Sequence, residues 1–212
     1  MAHVPVFDPE MADESGLVAV GGDLEPRRLL QAYRSGVFPW YDDSVPICWW
    51  SPDPRAIFEL DGFHCPRRLQ RTIRSGKYEV TIDQAFAKVM LGCADREEGT
   101  WITHDMLTAY MRLHELGFAH SVEVWDGPRL AGGLYGVSIG GLFAGESMFS
   151  RQSDASKIAL AATFERLRER GFILFDTQVA NEHTRRMGAI DIPRSVYLMR
   201  LRRALRIRAE FA

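Results

Sequence analysis

From residue 78 onward the apolar positions of the chain switch repeatedly between a period of two and a period near 3.6. Residues 78–82 alternate as a half-buried strand does, and residues 84–93 return to a helical spacing. Thr103 stands where an N-cap belongs, and Met106, Tyr110 and Leu113 then follow one face of a helix that ends at Gly117. Three strands are predicted next in meander order. Residues 121–125 turn at Asp126-Gly127-Pro128 into residues 130–138, and Gly140-Gly141 makes a tight hairpin into residues 142–149. Leu160, Phe164 and Leu167 have i, i+4, i+7 spacing, which predicts a helix stopping at Gly171. Residues 173–175 predict an apolar strand, residues 181–187 a short helix, and residues 196–201 a last strand completing the sheet.

Ahead of residue 60 the elements are shorter and broken by Gly, Pro and Trp, as in Val20-Gly21-Gly22-Asp23 and Phe38-Pro39-Trp40. Residues 26–35 predict a short helix, with Pro26 at its start, Leu29, Leu30 and Tyr33 on one face, and Gly36 as the stop. Residues 67–74 predict another. Antiparallel strands, a helix crossing to a further strand, then a helix and a final strand make an α+β order. It predicts an N-acetyltransferase-like mixed sheet with flanking helices, preceded by a small N-terminal α+β domain. The expected division is a small domain over 1–60 and the N-acetyltransferase-like domain over 61–212.

Composition narrows the class. With 212 residues, 46% of them hydrophobic, the chain can bury a sizeable core. Its 25% charged residues are ordinary for a globular protein. No apolar run approaches the roughly 18–20 residues of a membrane span, and no charged n-region precedes an apolar stretch at the N-terminus. Cys48, Cys65 and Cys93 are widely spaced and odd in number, which suits neither a disulfide framework nor a zinc site. A cytoplasmic, non-membrane protein is expected, and a monomer, since no exposed apolar repeat marks an interface. The net charge of −2 hides two basic clusters. Arg67, Arg68, Arg71, Arg74 and Lys77 form one, and Arg200, Arg202, Arg203, Arg206 and Arg208 the other. Such clusters are either solvated helix faces or a phosphate-binding footprint.

The candidate chemistry is selective in what it omits. The histidines include no HExxH and no ligand spacing with cysteine, so no metal site is expected. Gly145-Glu146-Ser147-Met148-Phe149 lacks the second glycine of a nucleophile elbow. No phosphate-cradling glycine loop occurs, and the turn Arg151-Gln152-Ser153-Asp154-Ala155-Ser156-Lys157 has no glycine where an acetyltransferase approaches the coenzyme A pyrophosphate. Asp176 and Gln178 stand two apart at the end of an apolar strand, which predicts side chains on one face, and Glu146 ends another strand. Polar groups placed so are either a buried hydrogen-bond network or the walls of a cleft for a cationic amine. Trp40, Trp49, Trp50 and Trp101 are core residues, with one or two of them available to stack an unpaired base.

Taken together, the motifs resemble the bacterial leucyl/phenylalanyl-tRNA–protein transferases. The strings are Gly16-Leu17-Val18-Ala19-Val20-Gly21-Gly22-Asp23-Leu24, Gly36-Val37-Phe38-Pro39-Trp40, Trp49-Trp50-Ser51-Pro52-Asp53-Pro54-Arg55 and Glu98-Gly99-Thr100-Trp101-Ile102. They continue with His120-Ser121-Val122-Glu123-Val124-Trp125, Gly132-Gly133-Leu134-Tyr135-Gly136-Val137, Gly145-Glu146-Ser147-Met148-Phe149-Ser150-Arg151 and Asp176-Thr177-Gln178-Val179. They stand in the family's order from about residue 15 to about residue 200.

The resemblance implies transfer of Leu, Phe and, less well, Met from aminoacyl-tRNA to proteins beginning with Arg or Lys, which then enter N-degron degradation. It implies no metal or organic cofactor. It places Asp176 and Gln178 at the reaction centre, and Glu146 and Asn181 at the acceptor peptide. Leu134, Met148, Leu160, Thr163, Leu167 and Phe175 fall at aminoacyl-pocket positions, with Thr163 where some relatives carry an aromatic. Trp40 and Trp101 match tryptophans that hold the terminal adenosine of the tRNA. Arg67, Arg68, Arg71, Arg74, Arg202 and Arg203 are then expected to meet tRNA phosphates. An amide is too weak a base to deprotonate an amine, so Gln178 is expected to accept a hydrogen bond from it while Asp176 orients the amide. The competing readings are a coenzyme A-dependent N-acetyltransferase and an RNA-binding module without catalysis.

Overall fold

The computed structural model describes residues 7–63, 65–96 and 99–212. His3, His64 and Glu98 lie outside the described residues. In chain order the elements are β1 (Leu17–Val20), α1 (Pro26–Arg34), β2 (Phe38–Pro39), β3 (Cys48–Trp50), β4 (Arg55–Phe58), α2 (Arg67–Arg74), β5 (Glu79–Ile82), α3 (Phe86–Ala94) and α4 (His104–Glu115). There follow β6 (Ala119–Asp126), β7 (Arg129–Ile139), β8 (Leu142–Ser150), α5 (Ala155–Glu169), β9 (Leu174–Gln178), α6 (Glu182–Arg186), β10 (Ala189–Ile192) and α7 (Arg194–Ala204).

Two sheets result. A three-stranded one has the order β1-β3-β2, and a seven-stranded one the order β10-β4-β9-β8-β7-β6-β5. Within the larger sheet only β8 and β9 run parallel, and α5 supplies the crossover that a parallel pair requires. The sheet is therefore mixed and carries helices on both faces, the α+β class expected from the element order. β4 precedes residue 60 and nevertheless inserts between β9 and β10 in the larger sheet.

One element departs from the sequence expectation. Residues 196–201 lie inside α7, and the last strand of the sheet is β10. Pro193 sits at the N-cap of α7, where its missing N–H costs nothing. Tyr197, Leu201 and Ala204 then recur at helical spacing and are buried, whereas Met199 between them is exposed. Residues 196–199 are a continuous apolar run, which spacing alone assigns to strand and helix equally.

Alternation along the central strands sorts the core into two layers. Phe58, Phe143 and Phe175 face α5, packing with Leu160, Phe164 and Leu167. Their neighbours Ile57, Leu142 and Leu174 face α7, packing with Tyr197 and Leu201. Phe164 alone meets Phe58, Phe63 and Phe175 at centroid distances of 5.3, 4.3 and 5.2 Å. Burying one such ring stabilises by about 1.5–3 kcal/mol. The expected cap is present: Thr103 Oγ1 accepts from the Met106 N–H at 3.2 Å. The β7–β8 hairpin needs its glycine, since Gly140 has φ +59 and a Cβ there would stand 2.9 Å from the Ala204 carbonyl oxygen.

Candidate active site

Two irregularities in the sheet open the site. Parallel pairing of β8 with β9 stops at Ala144 and Asp176, although both strands continue. Beyond it, the β7 partners Tyr135 and Gly136 face Ser147 and Gly145, so Glu146 is the extra residue of a bulge. On the other side, Ile57 and Ala56 of β4 face Asp176 and Gln178, which leaves Thr177 as a second bulged residue. Bulges re-aim side chains, and these two turn Glu146 and Gln178 towards each other across the gap. A cavity of about 410 Å³ fills the space between the splayed strands and β2 of the small sheet.

Asp176 lies behind that cavity rather than in it. Its carboxylate is wholly buried and receives Nε and Nη2 of Arg55 at 2.9 and 2.6 Å, together with the Tyr197 hydroxyl at 2.8 Å. Arg55 also donates to the Gly36 carbonyl at 3.0 Å and is sandwiched between the rings of Phe38 and Tyr197. Burial opposes the guanidinium charge, but Asp176 beside it outweighs burial and raises the Arg55 pKa above its ordinary value. Asp176 Oδ1 further accepts the backbone N–H of Gln178 at 2.9 Å, holding that residue at φ +63. The expectation of one shared face therefore gives way at Gln178, because the bulge and the left-handed backbone break the strand alternation. Asp176 grips the main chain of Gln178, not its amide.

The amide is oriented by Glu146. Gln178 Nε2 donates to Glu146 Oε1 at 2.8 Å, and the Tyr33 hydroxyl donates to the same oxygen at 2.8 Å. The Tyr110 hydroxyl reaches Oε2 at 3.3 Å and is itself hydrogen-bonded to the Tyr33 hydroxyl. With its NH₂ on a carboxylate, the amide leaves Oε1 as the atom that meets a donor in the cavity. Glu146 keeps a partly exposed edge on the cavity, yet its carboxyl is enclosed. Burial pushes its pKa up to about 7, against the opposing hydrogen bonds from Tyr33, Gln178 and Tyr110. Burial, reinforced by the nearby Glu146 charge, also holds the Tyr33 and Tyr110 hydroxyls well above their usual pKa, so they act as donors.

The cavity gathers most of the sequence-predicted residues. Leu134, Met148, Leu160 and Phe175 line its apolar end, and Trp40, Trp101, Glu146, Gln178 and Asn181 line the rest. Leu134 and Met148 are direct partners in the β7–β8 register. Thr163 and Leu167 do not line it. Both are fully buried one and two turns further along α5, and Thr163 Oγ1 is bonded to the Ala159 carbonyl at 2.8 Å. Asn181 Oδ1 caps α6 by accepting the Thr184 N–H at 2.8 Å. Trp49 is buried, with its indole N–H on the Gly21 carbonyl, while Trp40 is 49% exposed at the rim.

Phe58 and Phe38 also line the cavity, and Arg55, Tyr33 and Tyr110 organise it. In the sequence Phe38 and Arg55 stand only in motif strings, Tyr33 and Tyr110 only on helix faces, and Phe58 in no predicted element, because their partners are distant along the chain. Among the described residues no group of three His, Cys, Asp or Glu side chains is arranged to hold a metal ion. Also among them, no helix is long and apolar enough to cross a membrane.

The two basic clusters are separated by the sheet. α2 packs through Leu69 onto the α5 side and exposes Arg67, Arg68, Arg71 and Arg74. α7 packs on the opposite side and exposes Arg202 and Arg203.

Comparison with known proteins places this geometry. The model of the family described as leucyl/phenylalanyl-tRNA protein transferase matches residues 57–202, and that of its N-terminal domain matches residues 22–53. A leucyl/phenylalanyl-tRNA–protein transferase of Anaeromyxobacter dehalogenans is 56% identical over 206 residues, covering 95% of this chain and 88% of its own. One from an Enterobacter species is 55% identical over 195 residues, covering 92% and 83%. Among solved structures, a GCN5-related N-acetyltransferase from Kribbella flavida is similar over 78% of this chain and 60% of its own, at 13% identity and a TM-score of 0.41.

Proposed function

The chain belongs to the leucyl/phenylalanyl-tRNA–protein transferase family, an enzyme family that uses aminoacyl-tRNA, and from that premise we propose its substrates and mechanism. It moves Leu or Phe, and less well Met, to the α-amine of proteins that begin with Arg or Lys, marking them for N-degron degradation in the cytoplasm. The observation that carries this reading is the bridge from Gln178 to Glu146 beside an apolar cavity. An acyl side chain fits the end bounded by Leu134, Met148, Leu160 and Phe175, and the terminal adenosine fits the rim with Trp40 and Trp101. The carboxylate of Glu146 complements the cationic first residue of the acceptor.

The reaction asks little of a base. The ester is already activated, and an α-amine ordinarily titrates at about 7.7–8.0, so part of it is free near neutral pH. The amine donates a hydrogen bond to Gln178 Oε1 and attacks the ester carbonyl. A C–N bond forms, the C–O bond to the ribose breaks, and the proton that the amine loses passes to the leaving ribose oxygen, so the tRNA departs with its hydroxyl restored. Fixed alignment supplies much of the acceleration. Asp176 contributes by fixing the Gln178 backbone, and Glu146 by fixing the amide.

Incubation with radiolabelled Phe-tRNA and peptides differing only in their first residue tests this. Label should pass to Arg- and Lys-initiated peptides and not to an Ala-initiated one. Equal labelling of all three would sink the acceptor assignment.

A further inference from the structure

A second cavity of about 240 Å³ adjoins the first and shares Arg96 and Met148 with it. Arg96 follows the end of α3, and its side chain is exposed while its guanidinium is held at two points. Nε donates to the Cys93 carbonyl at 3.1 Å, and Nη2 donates to Ser147 Oγ at 2.8 Å. A guanidinium carries five N–H donors, and these bonds engage two of them. The cavity's other wall is a flat stack. The Phe149 ring lies on Gly92, where a Cβ would come within 2.6 Å of it, and the Arg151 guanidinium stands 5.3 Å from the ring centroid. Arg151 in turn approaches Asp95 at 3.6 Å.

We propose that this second cavity binds the nucleotide preceding the terminal adenosine of the tRNA, with Arg96 on the phosphodiester that joins the two. The inference rests on the reading above, in which Trp40 and Trp101 hold that adenosine. Any ligand that passes from one cavity to the other runs by Arg96, and the 3′ end of a tRNA is a single strand with one phosphate between successive bases. A fixed guanidinium suits the phosphate, and the aromatic–guanidinium stack suits the base. The carboxylate of Asp95 disfavours a more highly charged group such as a pyrophosphate, while a singly charged diester tolerates it. The role therefore belongs to a nucleotide step and not to a free anion.

The test compares the 3′-phenylalanyl ester of adenosine, the same ester of cytidylyl-(3′→5′)-adenosine, and full-length Phe-tRNA, each with an Arg-initiated peptide. Wild type should use the dinucleotide ester with a KM about tenfold below that of the adenosine ester, the worth of one charge-assisted contact. Arg96→Gln should collapse that preference to less than about twofold through KM, and Arg96→Lys should keep part of it. Arg151→Ala should narrow it without changing kcat. Wild type showing no preference between the esters would overturn the subsite, as would Arg96→Gln slowing both esters equally. Absence of transfer from full-length Phe-tRNA by wild type would instead count against the proposed function.

Discussion

Arg55 and Asp176 stand 121 positions apart in sequence, yet they form a bidentate pair at 2.9 and 2.6 Å with neither side chain reaching solvent. The pair ties β4 to β9 beneath Gln178, whose backbone N–H Asp176 also holds. Removing one partner leaves the other charged and buried, which costs about 3–5 kcal/mol. Asp176→Ala should therefore lose stability of that order in urea unfolding as well as activity. Replacing both, as Arg55→Met with Asp176→Leu, should recover part of the stability and none of the activity, because the Gln178 N–H still lacks its acceptor. An active double variant would show that this backbone anchor is dispensable.

The acyl slot makes a second expectation. Leu160 lines the cavity, while Thr163 sits behind it with its hydroxyl committed to the helix. Leu160→Phe should narrow the slot and lower the Phe-to-Leu ratio of kcat/KM by roughly tenfold, within the 1–3 kcal/mol that one or more methylenes are worth. Thr163→Phe should instead overpack the core and cost about 1–3 kcal/mol of stability. These are read from kcat/KM on the two charged tRNAs and from melting curves. A ratio that ignores Leu160→Phe would remove the acyl side chain from this cavity.

How much of this is legible in the sequence depends on the range of the interaction. Thr103, Gly140 and the Leu160–Phe164–Leu167 stripe act on neighbours a few positions away, so spacing alone locates α4, the hairpin and α5. Glu146, Gln178 and Asp176 are identifiable as polar residues at apolar strand ends. Their division of labour is not, because it depends on two bulges that appear only when β7 and β4 are laid against their partners. The same holds for Tyr33 and Tyr110, whose hydroxyls leave apolar helix faces to reach a carboxylate on β8. In α7 the short apolar run Val196 to Met199 reads as strand or helix alike, and only the burial of Tyr197, Leu201 and Ala204 marks the helical face.

The placement of the basic clusters predicts an asymmetry in tRNA binding. α2 shares the α5 side of the sheet, and the adjoining Lys77 and Tyr78 contact Gln152 just ahead of α5. α7 lies across the sheet from it. A tRNA end seated in the cavity should therefore meet Arg68 and Arg71, and not Arg202 and Arg203. Arg68→Ala with Arg71→Ala should reduce the slope of log affinity against log salt by about 0.7–0.9 for each phosphate that is no longer neutralised. Arg202→Ala with Arg203→Ala should leave the slope within error. Equal changes in both pairs would mean that the tRNA wraps both faces.

Glu146 should set the acid limb of the reaction. The pH dependence of kcat/KM reports the free enzyme, where the Glu146 carboxyl titrates near 7. Activity towards an Arg-initiated peptide should rise as Glu146 ionises, since only the carboxylate attracts a cation. The α-amine adds its own limb at about 7.7–8.0, which belongs to the peptide and stays in every variant. Glu146→Gln should abolish the lower limb and lower kcat/KM at pH 8. Stability runs the other way. Glu146 binds its proton more tightly folded than unfolded, so its contribution is full below about 4.5 and is lost as the pH rises to about 7. The Gln variant should lack that decline. Tyr33→Phe separates the positioning role from the charge. It removes a donor that favours the ionised form and leaves an enclosed carboxyl with fewer partners, so the limb should move to higher pH. At a pH well above the shifted limb, kcat/KM should recover most of its wild-type value. A limb that stays at 7 in Tyr33→Phe, with activity lowered equally at every pH, would show that Tyr33 holds the shape of the site and not the charge of Glu146.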